Sequence, residues 1–124
     1  MSTNTISKLL YGELSYTLNG ILFAVHNELG RFAREKQYSD LMEKKLQENK
    51  IAYARECAIG DSGNIVDYII EDSVIVELKA KPFLLHIDYD QTQRYLHVCD
   101  LQLAILVNFR SRYLQPKRVL RQNL

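Results

Sequence analysis

Three ionisable side chains in one short stretch could do hydrolytic chemistry together. Residues 67–79 read Asp-Tyr-Ile-Ile-Glu-Asp-Ser-Val-Ile-Val-Glu-Leu-Lys. Asp67 stands at the start of one apolar strand, Glu71-Asp72-Ser73 make a short acidic turn, and Val74-Ile75-Val76 run back into Glu77-Leu78-Lys79. A hairpin of that shape brings Asp67 close to Glu77, and strand alternation puts Glu77 and Lys79 on one side. Two carboxylates and an ammonium at one end of a hydrophobic sheet are the minimal kit for holding a hard divalent cation and an attacking water. Asp67 lies among Ile65, Val66, Tyr68, Ile69 and Ile70, where a lone carboxylate is costly unless paired or metal-bound. A plain salt bridge of Lys79 with Asp67 or Glu77 is the competing reading, and the hairpin alone leaves both open.

The elements that must position these groups follow from periodicity. Leu14, Leu18, Ile21, Leu22, Val25 and Leu29 recur at helical spacing over 13–29, and Gly30 stops the helix. Residues 34–49 predict a second helix, with Tyr38, Leu41, Met42 and Leu46 opposite Glu43, Lys44, Lys45 and Glu48. Strands are expected at 51–59, 65–70 and 73–79, with Asp61-Ser62-Gly63-Asn64 as the first turn. A third helix fits 86–99, with Asp88 and Asp90 favourable to its dipole. The apolar run Leu103–Val107 suits a strand buried on both faces, and residues 113–120 suit a final edge strand, where Pro116 is tolerated. The order ααβββαβ(β) implies an α/β (α+β) fold, a mixed sheet with helices packed on it.

Composition narrows the class. The chain has 124 residues, 47% hydrophobic and 25% charged, as expected of one ordinary globular domain over 1–124. No apolar run reaches membrane-spanning length and the start lacks the apolar core of a signal peptide, so a cytoplasmic protein is expected, with no membrane partner. Cys57 and Cys99 lack metal-type spacing and are expected to be reduced, packed thiols. From Arg110 onward stand five basic residues (Arg110, Arg112, Lys117, Arg118, Arg121) and no acid; with a total of +1, the rest carries −4. Such an edge could hold a phosphodiester backbone beside an acidic site, or be a solvated tail. There is no Ser-His-Asp order, Gly-rich phosphate loop or Cys/His zinc cluster. His26 borders the core of the first helix, more in the manner of a packing residue than a base, and His86 and His97 read as surface residues.

Several further motifs are arranged in a familiar order. Asp67 with Glu77-Leu78-Lys79 resembles the PD-(D/E)XK nuclease superfamily, whose site is an Asp on one strand and (Asp/Glu)-x-Lys on the next. Gln91 and Tyr95, i and i+4 on the third helix, resemble the Gln-x-x-x-Tyr signature of its helicase-associated branch. Glu35 and Tyr38, with Val25–Gly30, Ile75–Ala80 and Leu106–Phe109, resemble a small bacterial family named for Gly-x-x-Glu-x-x-Tyr, over roughly residues 12–120. Phe32 replaces that motif's glycine. The resemblance implies a restriction-endonuclease-like core and a Mg²⁺- or Mn²⁺-dependent nuclease acting on nucleic acid, with DNA the expected substrate. It implies Asp67, Glu77 and Glu35 as metal ligands, helped by the Leu78 carbonyl. Lys79 would orient or deprotonate water and stabilise phosphate charge, and Gln91 would position Lys79 or the metal shell. Substrate would meet Tyr38, Tyr95, Arg110, Lys117 and Arg118. A silent binding or regulatory module on the same fold, working as a homodimer or with a partner protein, is the alternative. A plain α+β interaction domain is the third reading, and it predicts Glu35 far from Asp67.

Overall fold

The computed structural model describes residues 3–123, with side chains described from Tyr11 onward. Eight elements follow in the order α1 (Thr3–Leu29), α2 (Glu35–Glu48), β1 (Tyr53–Ile59), β2 (Asn64–Ile70), β3 (Val74–Lys79), α3 (His86–Cys99), β4 (Leu103–Asn108) and β5 (Lys117–Leu120). The strands form one mixed sheet in the order β1-β2-β3-β4-β5, parallel between β3 and β4 and antiparallel elsewhere. The parallel pair follows from α3, the crossover between β3 and β4. The expected element order is therefore observed, as a five-stranded sheet between helical layers. None of the described helices is long and apolar enough to cross a membrane.

Alternation divides the core in two. Val74, Val76 and Leu78 of β3 and Leu103, Ile105 and Val107 of β4 join Leu18, Leu22 and Val25 of α1 and Tyr38, Met42 and Leu46 of α2. On the other face Ile75, Ala104 and Leu106 meet Tyr95 and Leu96 of α3. The central strands β3 and β4 are buried on both faces, and this is why each opens on an apolar run, Val74–Val76 in β3 and Leu103–Val107 in β4.

Boundaries follow local chemistry. Gly30 ends α1 at φ +74, a left-handed position that glycine adopts without strain. The acidic turn is a two-residue hairpin, with Glu71 and Asp72 both at positive φ and Ser73 N–H donating to Ile70 O. At the start of α3 the Asp88 carboxylate accepts from Leu85 N–H at 2.8 Å and from Lys81 Nζ at 2.9 Å. Burial opposes its charge, but the amide and the ammonium outweigh it and hold the carboxyl below its usual range. The final strand is shorter than expected. It covers Lys117–Leu120, because only these residues pair with β4, Leu106 lying opposite Lys117.

Candidate active site

β2 and β3 part company at the acids. Their ladder runs from Ile70↔Val74 to Tyr68↔Val76 and stops there. Beyond it side chains replace the backbone: Asp67 N–H donates to Glu77 Oε1 and Leu78 N–H donates to Asp67 Oδ2, both at 2.8 Å. Each carboxylate thus caps an amide of the other strand with one oxygen and keeps its second. Glu77 is only 3% exposed, on the face of the sheet covered by α3.

A backbone reversal creates this splay. Residues two apart on a strand should share a face, yet Val66 joins one core cluster while Tyr68 and Ile70 join the other. β1 reverses at the same level: Tyr53 packs on one side and Ile59 on the other. The residue between Arg55↔Tyr68 and Cys57↔Val66 is Glu56, at φ +54. A left-handed backbone costs a residue with a Cβ roughly 1–2 kcal/mol, and such strain collects at functional sites.

Contacts from α2 set Glu35 opposite Asp67. Tyr68 O–H donates to Ser39 O at 2.7 Å, and Arg55 pairs with Asp40 at 2.7 Å and Glu43 at 3.0 Å. Glu35, Lys36, Ser39, Glu56, Asp67 and Leu78 line a cavity of about 230 Å³. A larger cavity of about 460 Å³ lies on the outer side of α3, between Ser62 and His97, and includes none of these acids.

The electrostatics of the acids agree. Burial, then the charge of Asp67, push the Glu77 carboxyl up to about 8, against the Asp67 amide and Lys79. Burial likewise raises Asp67, and burial and Asp67 raise Glu35. Lys79 forms no ion pair with either strand carboxylate among the described residues; its Nζ donates to Gln91 Oε1 at 3.1 Å. The simple salt-bridge reading is therefore not what the structure contains.

A divalent cation fits this donor set, which is all oxygen and anionic, with two carboxylates short of positive charge and a third across a cavity. Among the described residues, however, no three His, Cys, Asp or Glu side chains are set to hold an ion together. Glu35 and Asp67 line the same cavity, but Glu35 does not join the Asp67–Glu77 pair in one cluster.

Some expected site residues lie elsewhere. Tyr38, expected at the substrate, is fully buried, stacked on Phe109 at 4.2 Å and accepting from Ala33 N–H at 3.1 Å. It locks the link between α1 and α2 because its position on α2 faces the core with Met42 and Leu46. Tyr95 is also buried, at 4% exposure, on the face of α3 that covers the sheet. Burial, then the charge of Glu77, raise its hydroxyl above the usual range. Lys117 and Arg118 lie on β5, separated from β3 by β4; Arg118 donates to Ser15 of α1 at 2.7 Å. Arg110 does reach the site's edge, donating to the carbonyl of Ala80 beside Lys79 at 3.4 Å. His26 bonds Ser111 O at 2.9 Å as a packing residue. Cys57 and Cys99 are free thiols.

Two residues escaped the sequence reading. Glu56 was findable, because the 61–64 turn places it opposite Asp67. Asn108 lies in the Leu106–Phe109 segment that carries the resemblance, but was given no role there: its buried amide bonds Lys81 N–H at 3.1 Å and Lys81 O at 2.8 Å, clamping the segment that follows Lys79.

Comparisons with known proteins bear on the family and the fold. A model of the PD-(D/E)XK nuclease superfamily matches residues 12–121. No curated protein matches the sequence. The crystal structure of SSO0001 superposes with a TM-score of 0.50 at 19% identity, over 84% of this chain and 65% of that one. The alkaline exonuclease LHK-Exo from Laribacter hongkongensis superposes with a TM-score of 0.44 at 16% identity, over 64% of this chain and 52% of that one. The chain therefore spans about half of one and just under two thirds of the other. With a hairpin acid pair, a lysine two residues on and a family match over nearly its whole length, the chain belongs to the PD-(D/E)XK nuclease superfamily.

Proposed function

We propose that this chain is a metal-dependent nuclease that hydrolyses phosphodiester bonds of nucleic acid, DNA first among them, at the Asp67–Glu77–Lys79 site. The observation that carries the reading is the strand splay, which sets the buried Glu77 carboxylate against the half-buried Asp67 carboxylate with too little positive charge to neutralise both. Asp67 and Glu77 would hold Mg²⁺ or Mn²⁺ through their second oxygens, with the Leu78 carbonyl beside them and Glu35 closing from α2. When bound, the cation would polarise water and neutralise charge on the phosphate. Lys79 would then orient that water or take its proton, and hold charge on the phosphoryl oxygens. Gln91 would keep the Lys79 ammonium aimed, through the 3.1 Å hydrogen bond. Glu35, Tyr38 and the Ile75–Ala80 segment support a narrower kinship with the GxxExxY family.

Incubating the protein with single- and double-stranded DNA and RNA, with Mg²⁺, Mn²⁺ or EDTA, tests the reading. Cleavage should need the cation and vanish in Lys79→Ala while the fold persists. Full metal-dependent cleavage by Lys79→Ala would overturn the mechanism. A second reading, a silent module on the same fold, is favoured by the use of one oxygen of each acid to cap an amide. It predicts cation binding or none, and no cleavage in either case.

A further inference from the structure

Phe32, the residue that departs from the family motif, is 75% exposed. Large apolar side chains often reach the surface singly, but this one is braced. The Arg31 guanidinium lies 4.9 Å from its ring centre and that of Arg110 lies 5.6 Å away. These arginines are themselves fixed, because Arg31 Nε donates to Arg110 O at 2.8 Å and Arg110 Nε donates to Arg31 O at 3.1 Å. Arg112 repeats the pattern on the same loop, 5.4 Å from the ring of Tyr113, which is also exposed. Among the described residues none of these three arginines pairs with an acid. The cluster adjoins the site on two sides: Arg110 donates to Ala80 O, next to Lys79, and Phe32 precedes Glu35 by three residues, at most about 11 Å of chain.

We propose that Phe32, with its bracing arginines, is a stacking platform for a single-stranded segment of nucleic acid leading into the acidic site. The fixed guanidiniums match phosphates in charge, and the open ring matches a base face. Bases inside a duplex cannot offer that face, so the platform selects single strands or unpaired ends. The occupant is assigned by charge complementarity. The proposal rests on the nuclease reading for where the strand leads, but not for its binding.

Fluorescence anisotropy with a labelled short DNA strand and the duplex of the same sequence, in EDTA, separates the two. The wild type should prefer the single strand. Phe32→Ala should weaken that binding roughly tenfold, leave duplex binding unchanged and keep the melting temperature, while Phe32→Trp should bind at least as well as wild type. Equal single-strand binding by Phe32→Ala, or a wild type that prefers the duplex, would overturn the platform. Cleavage by the wild type with Mn²⁺ is scored separately. Cleavage without Phe32-dependent binding would leave the nuclease and remove the platform, and the reverse result would do the opposite.

Discussion

Glu77 should make the protein lose stability as pH rises through neutrality. In the native state its carboxyl is raised to about 8 from the ordinary 4.5, by burial and then by Asp67. Asp67 faces it from β2, Lys79 from its own strand, and Tyr95 from α3. Between those two values the native state holds a proton that the unfolded chain has released. Unfolding free energy then falls with pH, by at most about 1.4 kcal/mol per unit. The stabilisation is full below pH 4.5 and is lost as pH climbs through about 8. From pH 5 to pH 7 the loss is on the order of 2–3 kcal/mol, for one proton held by the two acids together. With an unfolding entropy of about 2.1 cal/mol/K per residue, that lowers the melting temperature by roughly 10 °C. Thermal melts of wild type and Glu77→Gln across this window read the effect. The neutral isostere still accepts from Asp67 N–H but has no proton to lose, so its curve should fall less steeply than the wild type's, with a residual slope from Asp67 and Glu35. A flat wild-type profile, or a Glu77→Gln profile with the same slope as the wild type's, would show that Glu77 does not hold the proton.

Three further outcomes are expected. Glu56→Gly should stabilise the protein by about 1 kcal/mol by relieving the left-handed backbone at φ +54, whereas Glu56→Ala, which keeps the Cβ, should not; matched denaturant melts distinguish them. Asn108→Ala should cost about 2 kcal/mol in the same assay, since it removes both part-buried hydrogen bonds to the N–H and C=O of Lys81. Millimolar Mg²⁺ should raise the melting temperature more at pH 8 than at pH 6, because proton and cation compete for one carboxylate pair, and Glu77→Gln should abolish the difference.

The parts of the candidate site that were legible in the sequence are those whose mutual placement is set by local geometry. Asp67, Glu77 and Lys79 are joined by one hairpin, so turn position and alternation place them without tertiary knowledge. Gln91 is fixed by its phase on α3, where the polar side reaches Lys79. Tyr38 and Tyr95 misled because a tyrosine at helical spacing looks the same whether it faces core or substrate. Only the partner surface decides, and here it is Phe109 for one and the sheet face beside Glu77 for the other. The reversal at Glu56 was invisible for a related reason: a residue other than glycine at positive φ leaves no compositional mark. Arg118 showed the limit of charge patterning, since a basic run says nothing about which side of a sheet its members reach, and this one holds Ser15 of α1.

Whether the Asp67–Glu77 pair holds a metal is decided by isothermal titration of Mn²⁺ into the wild type and into Asp67→Asn. The wild type should bind, with proton release at neutral pH, and the mutant should remain folded and fail to bind. A wild type that takes up no Mn²⁺, or an Asp67→Asn protein that binds it as tightly, would show that the pair is no metal site.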